Sequence, residues 1–213
     1  MTEQTSATLE HISRVGIVPV IVLDDAAHAE PLVAALAAGG VRAIEITFRT
    51  AAGEAAIRAV ADTPDFVVGA GTVLTPIDVD RAADAGATFV VSPGLDESVL
   101  ERAADLGIAA LPGVATATEV QRAVRLGLDA VKLFPAKQLG GVAMVAALAG
   151  PFPTVRIMPS GGVTAENARS YADLPSVFAV SGSWMAPRTL IDEGRFDEIT
   201  ALSSHATELL SAR

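Results

Sequence analysis

Two ionisable side chains lie inside apolar runs, where a solvated surface position does not account for them. The first is Lys132, in Leu128-Asp129-Ala130-Val131-Lys132-Leu133-Phe134-Pro135. Lys132 and Lys137 are the only lysines of the chain, against 13 arginines, so positive surface charge is otherwise carried by arginine. In an extended strand Ala130, Lys132 and Phe134 share one face and Val131 and Leu133 the other. If the apolar pair packs on helices, Lys132 points inward. Removal from water disfavours an ammonium relative to the neutral amine, and a neutral amine is the nucleophile that forms a Schiff base with a ketone. The other reading is a lysine that reaches for the rim or pairs with a carboxylate. The second is Glu45, in Ala43-Ile44-Glu45-Ile46-Thr47-Phe48-Arg49, where Glu45, Thr47 and Arg49 share a face. A buried carboxylate is costly unless paired or used. Glu45 is thus either an acid/base group or one half of a structural ion pair with Lys132.

Other residues are weaker alone. Arg49 closes its run, where a guanidinium can hold a carboxylate through two parallel hydrogen bonds or simply lie in solvent. Thr72 closes Val68-Gly69-Ala70-Gly71-Thr72, whose glycines either leave space for a ligand or turn the chain. Ser160-Gly161-Gly162 and Ser181-Gly182-Ser183 each follow an apolar run. Such small loops expose backbone N–H groups, a following helix start adds a positive dipole end, and together they suit a phosphate. Gly140-Gly141 could add donors. His11, His28 and His205 stand away from these segments, which argues against a histidine metal site, a histidine base or a Ser-His-Asp triad. No Walker-type phosphate loop is present, and Trp184 and Tyr171 are too isolated to stack bases.

These residues need a frame. Short β-rich runs begin near Ile17, Ala43, Phe66, Thr88, Ile108, Asp129, Thr154 and Val177, at intervals of 20 to 26 residues. Alanine-rich stretches with helical spacing separate them, as in Leu32, Val33, Leu36 and Ala37. Asp24 can cap the helix that stops at Gly39-Gly40, Thr75-Pro76 places a cap before a first-turn proline, and Thr116 with Glu119 forms a capping box. Eight strand–helix units at a near-constant period predict an α/β fold with a parallel sheet, and eight is the number that closes a (β/α)8 TIM barrel. An open doubly wound sheet is the alternative, but the first run ends in Val22-Leu23-Asp24-Asp25 without its glycine fingerprint. Residues 1–213 are expected to form a single barrel domain, with 1–7 frayed and 8–14 a short helix beneath it. The site then lies at the C-terminal ends of the strands.

Composition narrows the partners. The 213 residues carry 15 basic and 25 acidic groups, a net charge of −10, which disfavours nucleic acid and anionic membranes. There is no cysteine, so disulfides and thiolate chemistry are excluded. The longest apolar stretch, Val15 to Leu23, is broken by Gly16 and Pro19 and falls short of the roughly 20 residues that span a bilayer. No signal pattern opens the chain, and a cytoplasmic protein with a small-molecule substrate is expected.

Gly40-Val41-Arg42-Ala43-Ile44-Glu45-Ile46-Thr47-Phe48-Arg49 resembles the first signature of the aldolases that cleave 2-keto-3-deoxy-6-phosphogluconate (KDPG) and 4-hydroxy-2-oxoglutarate (KHG). The segment from Gly127 to Ala136, with Gly140 beyond it, resembles the second, around a Schiff-base lysine. Val68–Leu74, Val91-Ser92-Pro93-Gly94 and Ser181-Gly182-Ser183-Trp184 are also similar, and the likeness runs from about Ile12 to the C-terminal helix. It implies a small (β/α)8 homotrimer without metal or cofactor, a class I aldolase of Entner–Doudoroff carbohydrate metabolism. It implies Lys132 as the Schiff-base residue and Glu45 as general acid/base. Arg49 and Thr72 would hold the pyruvyl carboxylate, Pro93 and Phe134 would line the pocket, and Ser160, Gly161, Gly162, Gly182 and Ser183 would surround the phosphate. Ser160 stands where relatives often have threonine, Lys137 where some have glutamate, and Val22 where many have arginine. These departures bear on substrate preference. Thr47 to Thr50 favour the gluconate type over the phosphogalactonate aldolases. Two rivals make distinct expectations. An isomerase using Glu45 as base needs no imine and survives borohydride with substrate present. A barrel that only binds phosphorylated metabolites is stabilised by them without cleaving them.

Overall fold

The structure, a computed structural model, describes residues 3–211. Its strands are β1 (Ile17–Ile21), β2 (Ala43–Thr47), β3 (Val67–Gly71), β4 (Phe89–Val91), β5 (Ala109–Leu111), β6 (Gly113–Val114), β7 (Ala130–Leu133), β8 (Arg156–Pro159) and β9 (Val180–Gly182). All pairings are parallel. One six-stranded sheet runs β5-β4-β3-β2-β1-β9 and a three-stranded sheet runs β6-β7-β8. Isolated parallel bridges Ile157–Val177 and Ser160–Ser181 connect the end of the second sheet to the first. The eight expected runs therefore become nine segments, because the fifth divides at Pro112. Proline has no N–H to give the ladder. Before it β5 pairs with β4; after it β6 pairs with β7, and Lys132 N donates to the Pro112 carbonyl at 2.9 Å.

Helices cover the sheets: α1 (Glu3–Val15), α2 (Ala29–Ala38), α3 (Gly53–Val60), α4 (Pro76–Asp84), α5 (Glu97–Asp105), α6 (Ala117–Arg125), α7 (Val142–Ala149), α8 (Ala168–Ala172), α9 (Arg188–Asp192) and α10 (Phe196–Ser211). Helix α1 starts at Glu3, so residues 3–7 are helical rather than frayed. Thr5, Thr8, Leu9 and Ile12 are buried along one face, and that burial extends the helix past the expected 8–14. Met1 and Thr2 lie outside the described residues. Thr75 and Asp78 form a reciprocal capping box with Pro76 in the first turn. Thr116 caps α6, and the Glu119 carboxylate accepts from Ala115 N, one residue before the cap. The expected Asp24 cap is not formed. Asp25 instead caps a 3-10 turn at Ala26–His28 that leads into α2, and Asp24 accepts from Arg188 Nε at 2.9 Å.

Strand alternation divides the core in two. Ile44, Ile46, Val68, Ala70, Val131, Leu133 and Ile157 pack outward on the helices. Val18, Ala43, Val67, Phe89, Leu111, Ala130 and Met158 pack inward, closed below by Leu9 and Ile12 of α1. The inward face is apolar near the N-terminal ends of the strands, so polar groups on that face concentrate at the other end. No helix among the described residues is long and apolar enough to cross a membrane.

Candidate active site

Glu45 and Lys132 belong to the inward parity, two residues beyond Ala43 and Ala130. They meet there. Lys132 Nζ lies 3.4 Å from Glu45 Oε1, with the residues only 5% and 1% exposed. Glu45 Oε2 is buried without a hydrogen-bond partner. The amine also lies 5.3 Å from the centre of the Phe134 ring, which carries its negative face toward a cation. The pair is therefore aimed at one point with a carboxylate oxygen to spare.

The glycines of Val68-Gly69-Ala70-Gly71 have specific reasons. A Cβ on Gly69 would fall 2.3 Å from the Phe89 ring, and one on Gly71 would fall 2.2 Å from Glu45 Oε1. Gly69 thus makes room for a core phenylalanine, and Gly71 for the carboxylate itself. The next residue, Thr72, has φ of 58°. For a β-branched residue this left-handed conformation costs on the order of 1–3 kcal/mol. It is held by flanking bonds, Phe48 N to Gly71 O at 2.8 Å and Val73 N to Val91 O at 3.1 Å. It presents Thr72 Oγ1 to Arg49 Nε at 3.2 Å. Arg49 is exposed at the rim. Thr47 Oγ1, buried below it, donates to Ile21 O, and Thr50 Oγ1 donates to Leu23 O, so the turn bearing Arg49 is fastened to the end of β1.

Pro93 is exposed after β4, and its carbonyl takes the space that a side chain on Gly113 would need. On the far side Ser160 is buried and bridges to Ser181. Gly161 and Gly162 follow with φ of 89° and 78°, and a Cβ on Gly161 would meet the Phe134 ring at 3.1 Å. Asn167 Nδ2 donates to Gly162 O and its Oδ1 accepts from Thr164 N, which pins the loop. The Gly162 and Ser183 amides have no backbone acceptor among the described residues, whereas Gly161 lies within the Ser160–Ser181 bridge. Gly182 is buried beneath Trp184.

Two expectations about donors change. Gly140 N donates to Lys137 O and Gly141 N to Ala136 O, so these amides are occupied by their own turn. The helices after the two serine loops have five residues each and start only at Ala168 and Arg188, so loop amides rather than a helix dipole characterise this region. Ser181, which the sequence offers only as part of the Ser181-Gly182-Ser183 loop, lies within β9 itself. It is fully buried, and its Oγ has no partner. Its inward position could have been read from the alternation through Ser183. The three histidines sit on α1, in the 3-10 turn and on α10. Two cavities, of about 410 and 650 Å³, open elsewhere, against α1 with Ile108 and Leu128 and around His11, Arg14 and Arg42. Neither touches Lys132 or Glu45, so the convergent polar groups rather than either cavity mark the candidate site.

Fold and site together define a parallel-sheet α/β protein with a buried amine–carboxylate pair at the C-terminal strand ends. The family description "KDPG and KHG aldolase" matches residues 9–202, and the chain belongs to that family. It is 43% identical over 202 residues to the 2-dehydro-3-deoxy-phosphogluconate aldolase of Treponema pallidum (strain Nichols), covering 94% of this chain and 96% of that one. Among solved structures it is similar to the 2-keto-3-deoxy-6-phosphogluconate aldolase of Zymomonas mobilis ZM4 with 3-phosphoglycerate, at 40% identity and a TM-score of 0.89, covering 96% and 97% of the two chains. It is also similar to the KDPG aldolase of Legionella pneumophila with pyruvate captured at low pH as a covalent carbinolamine intermediate, at 36% identity and a TM-score of 0.89, covering 95% and 97%.

Proposed function

We propose that the chain is a class I aldolase that reversibly cleaves 2-keto-3-deoxy-6-phosphogluconate to pyruvate and glyceraldehyde 3-phosphate, and also 4-hydroxy-2-oxoglutarate to pyruvate and glyoxylate. The observation that carries this is the buried Lys132–Glu45 pair, 3.4 Å apart, with Glu45 Oε2 unpartnered. Lys132 Nζ attacks the C2 ketone, and loss of water from the carbinolamine leaves an iminium. Glu45 takes the C4 hydroxyl proton, the C3–C4 bond breaks, and its electron pair enters the enamine. The aldehyde phosphate leaves. Protonation at C3 and hydrolysis of the iminium release pyruvate and restore the amine. Arg49 and Thr72 bind the carboxylate of the pyruvyl half, with Phe134 and Pro93 lining that side. The backbone amides at Gly161, Gly162 and Ser183 hold the phosphate, with Ser160 and Gly182 shaping the loops. Pyruvate formation from each substrate, followed through a coupled lactate dehydrogenase, tests the assignment; no pyruvate from either would sink it.

In the same proposal residues 1–213 form a single domain in which the two sheets close as one (β/α)8 barrel. Continuity of β5 with β6 through Pro112 and the bridges at Val177 and Ser181 support closure. The family resemblance supports a cytoplasmic homotrimer. Leu74 and Ile77, 55% and 69% exposed, are neighbouring apolar residues that self-association could cover.

Two substitutions probe the positioning. Arg49→Ala is expected to raise KM for pyruvate in the synthetic direction about tenfold or more, and to raise KM for glyceraldehyde 3-phosphate far less, since a charge-assisted bond contributes about 1.5–3 kcal/mol. Equal changes in both would remove Arg49 from the pyruvyl half. Gly71→Ala places a methyl group against Glu45, at a backbone without positive φ. Turnover should fall at least about tenfold, and overpacking should cost roughly 1–3 kcal/mol of stability. Steady-state rates beside a thermal melt separate the two, and wild-type turnover would mean that the carboxylate has room to move without consequence.

A further inference from the structure

We propose that Lys137 is a charged element of phosphate recognition in this chain, selecting phosphorylated over unphosphorylated 2-keto-4-hydroxy acids. This inference rests on the aldolase assignment and goes beyond the backbone amides described above.

Lys137 is the second of two lysines in a chain that otherwise uses arginine. It stands five residues after Lys132, in the turn between β7 and α7, and that turn is zipped to the 160–162 loop. Ala136 N donates to Ser160 O at 2.7 Å, and Lys137 N donates to Gly161 O at 3.0 Å. The side chain then runs across the loop. Its Cβ, Cγ and Cδ lie 2.5, 3.2 and 2.9 Å from where a Cβ of Gly162 would be. Gly162 is therefore constrained twice, by a φ of 78° and by the lysine stem lying on it. The ammonium is two bonds beyond Cδ, within reach of the rim of the loop that carries the Gly161 and Gly162 amides. The residue is exposed, and its ammonium makes no ion pair among the described residues. Glu166 is an acid that feels this ammonium. Its carboxyl is held below the usual range, chiefly by the Thr164 hydroxyl and only in smaller part by Lys137.

Neutral amides fit an anion's shape but supply no net charge. A phosphate monoester carries about −1.5 to −2 near neutral pH, and this protein carries −10. A cation free to face the loop offsets that repulsion where the phosphate docks. A shorter substrate ending in a carboxylate carries less charge and gains less from it.

The test is steady-state cleavage by the full chain of 2-keto-3-deoxy-6-phosphogluconate and of 4-hydroxy-2-oxoglutarate, in wild type, Lys137→Met and Glu166→Gln. Lys137→Met should raise KM for the phosphorylated substrate more than it lowers kcat. The ratio of kcat/KM values between the two substrates should fall about three- to tenfold, the range of a solvent-screened ion pair acting on a dianion. The difference should shrink as salt is raised, and Glu166→Gln should shift the ratio the opposite way. An unchanged ratio in a Lys137→Met protein that melts like wild type overturns the role of Lys137 and leaves the aldolase assignment standing. An equal loss of kcat on both substrates also overturns it, since the turn would then be positioning Lys132. A wild-type protein that cleaves neither substrate overturns both.

Discussion

Lys132→Ala is expected to abolish covalent capture of pyruvate and to lower cleavage by at least about 10⁴-fold, in line with the loss of other enzymatic nucleophiles. In the wild type, borohydride added with pyruvate should leave a reduced pyruvyl group on the peptide containing Lys132. Lys137 provides an internal control. It is exposed, five residues away, and should stay unmodified. An adduct on Lys137 alone, or none on folded protein, would return Lys132 to a structural charge and favour the isomerase or binding-protein reading. Stability must be measured alongside. Removing one member of a buried pair commonly costs about 3–5 kcal/mol, whereas replacing both with apolar groups of similar volume is often neutral or stabilising. The pair is therefore a poor device for holding the sheets together. Lys132→Met/Glu45→Met should melt at or above the temperature of Lys132→Met and remain inactive.

Strand parity made most of this site legible. Ala130, Lys132 and Phe134 share a face in any extended run, as do Ala43, Glu45 and Thr47. A lysine between Val131 and Leu133 has few places to go other than inward. What local pattern could not show was set by neighbours distant in the chain. Gly69 and Gly71 read equally as turn or ligand space; they are small because Phe89 and Glu45 arrive from adjacent strands. Gly140 and Gly141 read as donors until their own turn uses both amides. Asp24 has the right type and place to cap α2, but Arg188, 164 residues later, takes its carboxylate. The division at Pro112 was readable in principle from the missing N–H, yet which strand each half pairs with depends on the curl of the sheets. Ser181 reads in the sequence as part of the small loop Ser181-Gly182-Ser183, whereas its burial follows from register with Val18 in the adjacent strand.

Glu45→Gln is the second large effect and the one that separates proton transfer from imine formation. The amide nearly preserves the volume of the carboxylate and can still contact Lys132, but it cannot accept the C4 hydroxyl proton. Cleavage should fall about 10²–10⁴-fold, the usual contribution of a positioned acid/base group. Borohydride capture of pyruvate should persist, because attack of the amine on the ketone does not require the C4 step. The effect should lie in kcat rather than KM, as for an interaction made in the transition state. Glu45→Asp retains the base but draws it back from the reacting centre, so it should fall between wild type and Glu45→Gln. The measurement is cleavage rate and trapping yield on the same preparations. Full turnover in Glu45→Gln would remove Glu45 from the mechanism. Loss of capture together with cleavage would assign the carboxylate to activating or orienting Lys132. Retained capture with lost cleavage is the result that the 3.4 Å contact through Oε1 and the unpartnered Oε2 lead us to expect: one oxygen on the amine, the other left for the substrate hydroxyl.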